Sequence, residues 1–192
     1  MRDTTVRIFT QSHRQEVFRL FALGGALGVF VLFLNRPVLD HAWKYFDDDI
    51  NILLNPHLTG GSWDTIKWAW TNFNYARYYL PLGWLMFDGL FGFGGLNAVV
   101  FHAASWLLAA VNAVLLFLIV SKFLEPVNSD ATRPKHVWRE LSAVMAVALF
   151  AGHPLRAETV GWASALLYLA SQCFASFAIL VTLDMRLPHQ SR

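Results

Sequence analysis

Residues 97–120 read NAVVFHAASWLLAAVNAVLLFLIV, an apolar run without a single charged residue. A helix needs about twenty such residues to cross the hydrocarbon core of a bilayer, so this run is read as a transmembrane span. Working outward, three more apolar runs fit the same reading: 18–34 before it, and 138–155 and 160–183 after it. The first is short but can borrow the stretch up to Trp43, and the third needs Val137 and Trp138 to reach full length. Gly24 and Gly28 in the first run form a small-x-x-x-small pair that lets a second helix approach closely. The expected fold is therefore an all-α membrane protein with about four transmembrane helices in one domain, 18–183.

Composition agrees. The chain has 192 residues, 56% hydrophobic and 15% charged. Soluble domains carry about 25% charged residues. The charges cluster between the apolar runs, and aromatic residues flank those runs, as suits the headgroup region. A net charge of +2 gives no footprint for nucleic acid. The single Cys173 excludes an internal disulfide. The polar segment 1–17 and the sequence Asn35-Arg36-Pro37 do not fit a cleaved signal peptide, so the first run is read as a retained anchor.

Lys and Arg set the expected orientation. With four spans, one side receives Arg2, Arg7, Arg14, Arg19, Lys122, Arg133, Lys135, Arg139, Arg186 and Arg192. The other receives Arg36, Lys44, Lys67, Arg77 and Arg156. The excess places both termini, the 121–140 loop and the tail 184–192 in the cytoplasm, with the long loop 35–96 outside. Within that loop Ser62 can cap a helix over Trp63 to Phe73, with Asp64 in its first turn. Trp63, Ile66, Trp70 and Phe73 recur at helical steps and form one aromatic face, which suits the membrane surface or packing on the spans. The stretch Tyr78 to Phe93 is apolar but broken by Pro81, Gly83, Asp88 and Gly89, and is read as interfacial or re-entrant.

Two polar clusters could carry chemistry, and both fall outside the membrane on this topology. Asp47, Asp48 and Asp49 are adjacent carboxylates that repel one another. Such a group can act as a base, bind a divalent metal or simply be solvated. Asn55-Pro56-His57-Leu58 follows and reads as a polar turn. The second cluster, His153-Pro154-Leu155-Arg156-Ala157-Glu158, sits at the end of the third run, where charges near the membrane need partners or water. His102, Asn112 and Gln172 in the spans are read as interhelical hydrogen-bond partners. There is no phosphate-binding glycine loop, no CxxC pair and no HExxH.

These motifs, in this order, resemble the outer loops of polytopic GT-C class glycosyltransferases. The likeness is to the branch with tetratricopeptide repeats, which includes transmembrane O-mannosyltransferases and bacterial relatives. It runs from Phe46-Asp47-Asp48 and Asn55-Pro56-His57-Leu58 through Trp63, Trp68 and Trp70 to Tyr79-Leu80-Pro81-Leu82. It continues at His102 and Asn112 and ends at Phe150-Ala151-Gly152-His153-Pro154, Glu158, Val160, Trp162 and Ser164. It covers most of residues 40–180.

The resemblance implies transfer of a sugar from a polyprenyl-phosphate donor to an acceptor hydroxyl on the outer face, in a bacterial inner membrane. By position, Asp47 or Asp48 would be the catalytic base, with a divalent metal there as an option. Asn55, His153, Glu158 and Trp162 would bind substrate, and the aromatic outer helix would guide the lipid donor. The chain departs from the family at Leu80, Ala165, Leu166, Leu167 and Tyr168, where relatives often carry charged residues. It also has fewer spans, and so resembles the N-terminal half of such an enzyme. The alternative is a non-catalytic GT-C-derived accessory or scaffold subunit of a larger membrane complex. The polar ending 187–192, which reads as a natural terminus, fits that alternative.

Overall fold

The computed structural model describes residues 2–124 and 135–186, with side chains described within 14–124 and 137–185. No strand occurs among the described residues. The helices are α1 (Arg2–Leu34), α2 (Trp63–Thr71), α3 (Pro81–Gly94), α4 (Ala98–Phe123), α5 (Lys135–Ala151), α6 (Pro154–Gly161) and α7 (Leu166–Arg186). Three helices are long and apolar enough to cross a membrane: Arg14–Leu34 of α1, all of α4, and Leu166–Met185 of α7. The chain is a membrane protein on that ground.

The third expected run takes a different form. α5 has 17 residues, about 25 Å at the helical rise, which is shorter than the hydrocarbon core. It stops at Ala151 because Pro154 has no N–H to donate and disfavours helix in the residue before it. Proline is tolerated in a first turn, so the chain restarts there as α6. The fourth run also begins later than expected, at Leu166 rather than 160. The Ser164 N–H is directed to the Asp48 side chain at 2.8 Å and is lost to a continuous helix.

The chain divides into two compact units. The first comprises Met1–Phe33, Ala110–His153 and Gln172–Arg192. In it the Gly24 and Gly28 face of α1 meets α4. A Cβ on Gly28 would come 3.2 Å from Val114, and one on Gly24 would come 3.4 Å from Val114 and Phe117. Ion pairs add to this packing. Arg139 donates to Glu16 at 2.8 Å, and Lys122 donates to Asp184. Arg19 lies 2.9 Å from Glu140 without the alignment of a hydrogen bond.

The second unit comprises Leu34–Ala109 and Pro154–Ser171. Its core gathers Ile52, Leu58, Ala69, Trp84, Phe87, Phe101, Ala163 and Leu166. The expected cap is present: Ser62 Oγ accepts the Thr65 N–H at 3.1 Å and starts α2. Thr65 and Ala69 of α2 are buried, and α2 packs on α3. On the aromatic face read from the sequence, Trp63, Trp70 and Phe73 stay exposed and Ile66 is half-buried, while the Phe73 ring stacks on Tyr79 with centroids 4.7 Å apart. The broken stretch 78–93 folds as α3, with Pro81 in its first turn. Buried Asp88 of α3 accepts the N–H groups of Thr59, Gly60 and Gly61 at 2.6, 2.8 and 2.7 Å. Gly60 sits at φ 83° and would bring a Cβ to 3.1 Å from Gly92, so glycine is needed on both sides of this approach.

His102 is fully buried on α4. It packs edge-on to His41, with centroids 5.9 Å apart.

Tyr75 lies outside the spans. Its hydroxyl donates to the Ile50 carbonyl at 2.8 Å, and its ring meets Trp68 and Trp84 edge-on. Burial raises its pKa above the usual 10.0, because the anion loses hydration. A raised folded-state value means that its stabilising contribution is whole below the unfolded value and is lost as pH rises through the folded one. The Tyr75→Phe variant is expected to be less stable by about 1 kcal/mol at neutral pH. That gap should close above about pH 10, as read by thermal unfolding of both proteins across alkaline buffers.

Candidate functional site

Three stretches, the first and last more than a hundred residues apart in sequence, build one pocket within the second unit. Its volume is about 360 Å³. Asp47 and Asn51 line it from the first acidic motif and the π-helical turn Asp49–Leu53 that follows. Tyr78 and Leu80 come from the chain leading into α3. Trp162, Ser164 and Ala165 come from the α6–α7 connection, and Leu167, Tyr168 and Ser171 from the first turns of α7.

The three adjacent aspartates have three different environments. Asp48 is 1% exposed and joins the two stretches. One oxygen accepts both the N–H and the hydroxyl of Ser164, and the other accepts the Lys44 N–H at 2.9 Å. Asp49 turns back to accept the Ile50 N–H at 2.8 Å. Asp47 is exposed and faces the pocket. Its backbone carbonyl accepts the Asn51 N–H at 2.9 Å, which ties two lining residues into one turn. The half-buried Trp162 ring stacks on Phe46, with centroids 6.3 Å apart and planes 18° from parallel.

A divalent cation bridging Asp47 and Asp48 does not fit this geometry. Both Asp48 oxygens already accept hydrogen bonds from fixed donors. Among the described residues no three His, Cys, Asp or Glu side chains gather as a ligand set.

The remaining candidates from the sequence lie elsewhere. Asn55 is buried and closes its own turn, donating to the Asn51 carbonyl at 3.2 Å and accepting the His57 N–H at 3.0 Å. His57 stacks on Trp68 at 4.1 Å. Glu158 is exposed on α6 and does not line the pocket, whereas Trp162 does. His153 is exposed and belongs to the first unit.

Sequence reasoning did not single out Asn51, Tyr78 or Ser171 as functional. A usable signal existed only for Asn51, one helical turn after Asp47. Leu80, Ala165, Leu167 and Tyr168 entered the sequence analysis as places where charge is missing, and all four line this pocket. Asp88 carried a signal of its own: a lone carboxylate in an apolar stretch demands donors, and Thr59-Gly60-Gly61 can supply them.

Comparison with protein-family models, curated proteins and solved structures gives no match for this chain.

Proposed function

We propose that the chain is a GT-C-like membrane protein that transfers a sugar from a polyprenyl-phosphate donor to an acceptor hydroxyl at the outer face. The observation that carries this reading is the meeting of residues 47–51 and 162–171 around one pocket whose lining carboxylate is Asp47. Asp47 takes the proton of the acceptor hydroxyl. The freed oxygen attacks the anomeric carbon, the bond from that carbon to the phosphate oxygen breaks, and the polyprenyl phosphate leaves with the electron pair. Asp48 is a positioning residue that fixes Ser164 and the turn carrying Asp47.

In a membrane assay with labelled polyprenyl-phosphate sugar, Asp47→Asn should lower transfer by about a hundredfold or more. Its unfolding temperature should stay at the wild-type value, because Asp47 is exposed. Undiminished transfer in this variant overturns the reading.

One observation favours a second reading. Among the described residues no Lys or Arg lines the pocket to meet a donor phosphate. An accessory or scaffold subunit of a larger membrane complex would need none. A wild-type chain that transfers no sugar, yet copurifies stoichiometrically with a partner of many spans, replaces the first reading with this one.

The proposed topology has α5 as the fourth crossing and both ends in the cytoplasm, in a bacterial inner membrane. The uneven Lys and Arg distribution supports the orientation, and the resemblance supports the membrane. Lys67→Cys, exposed on α2, should react with an impermeant thiol reagent only from outside. Labelling only from the cytoplasmic side reverses the orientation.

A further inference from the structure

We infer that this pocket takes a neutral, hydroxyl-bearing ring, the acceptor sugar, and turns away the phosphate of the donor. The inference rests on the transfer reading only for the word acceptor; the ligand class follows from the lining itself.

Charge decides against an anion. Asp47 faces the space, and neither Lys, Arg nor His is among the described residues that line it. The start of α7 would ordinarily attract a phosphate through its free N–H groups. Here the Ser164 N–H just before it is taken by Asp48, which adds a second carboxylate behind the same wall. An anion would therefore meet repulsion from two sides in a partly dehydrated space.

Hydrogen-bonding capacity decides against a bare alkyl cation. Asn51 offers an amide, which a quaternary ammonium would cover without pairing; the Ser171 hydroxyl donates to the Leu167 carbonyl at 2.8 Å and offers a ligand its accepting lone pairs. A hydroxylated ring pairs them and presents a hydroxyl to Asp47. Trp162, Tyr78 and Tyr168 supply flat apolar faces for the C–H side of such a ring. The volume, about 360 Å³, is near the lower end of the usual range of about 300–1,000 Å³ and suits one ring better than a chain of them.

The test uses the full chain in nanodiscs. Binding is followed by saturation-transfer NMR and calorimetry with methyl glucoside, mannoside and galactoside. The matching hexose phosphates and choline serve as competitors. At least one methyl hexoside should bind, and its phosphate should bind about tenfold or more weakly. Asp47→Asn should narrow that gap, and Tyr168→Ala, an exposed position, should weaken the hexoside. Tighter binding of a hexose phosphate or of choline, or no binding by any hexoside, overturns the inference.

The two readings fail separately. Hexoside binding without transfer by the wild-type chain removes the catalytic reading and upholds the ligand class. Phosphate-preferring binding with intact Asp47-dependent transfer does the reverse.

Discussion

Asp48→Ala is expected to lose about 3–5 kcal/mol of stability, the scale seen when one member of a buried charged hydrogen-bond set is removed. The carboxylate is 1% exposed and accepts from the Ser164 N–H, the Ser164 hydroxyl and the Lys44 N–H. Alanine would leave these donors facing an apolar hole, and an unpaired buried donor costs more than a lost bond gains. Asp48→Asn keeps the volume but has one accepting oxygen in place of two, so it should fall between the wild type and alanine. Either variant should also blur the pocket, since Ser164 and Ala165 are lining residues. Thermal unfolding in detergent, read beside the transfer assay, separates the neighbouring acids. On the proposed function, Asp48 variants should lose stability and transfer together, and Asp47→Asn transfer alone. An Asp48→Ala protein with a wild-type unfolding temperature would sink this account of the clamp.

Asp88→Ala should cost a similar amount, about 4 kcal/mol, for a different reason. Asp88 is 2% exposed and gathers three successive backbone N–H groups from Thr59, Gly60 and Gly61. Backbone donors cannot swing to other partners as side chains can. The loop is shaped for this carboxylate, with Gly60 and Gly61 at φ 83° and 99°. Without the charge the loop has no reason to lie on α3, and α2 begins only two residues later, at Trp63. Loss should appear in denaturant titration as a lower midpoint, and in hydrogen exchange as lost protection at residues 59–61. Protection that survives Asp88→Ala would mean that the Gly60–Gly92 approach alone holds the loop.

The helices and the site were legible to different depths. The run 97–120 became α4 with ends within a few residues of the reading, and the Ser62 cap was placed to the residue. Both follow from local rules: apolar length in one case, a side-chain oxygen beside free N–H groups in the other. The run read as 160–183 started late because Ser164 bonds to a carboxylate far away in sequence, and no periodicity in residues 160–183 carries that information. The three aspartates were indistinguishable as a string. Their separation into a clamp, a turn and a pocket wall depends on what lies across from each.

The amino-acid sequence by itself determined that this is a helical membrane protein, because apolar length and charge clustering are properties of the chain alone. It also marked the polar stretches worth watching. Only the tertiary structure decided that Asp48 is buried structure and Asp47 is pocket wall. It alone brought Tyr78, Leu80, Trp162 and Tyr168 to one small cavity that no Lys, Arg or His lines among the described residues. Burial and hydrogen-bond partners are set by residues distant along the chain, and neighbours of identical chemistry can be told apart only once those partners are in place.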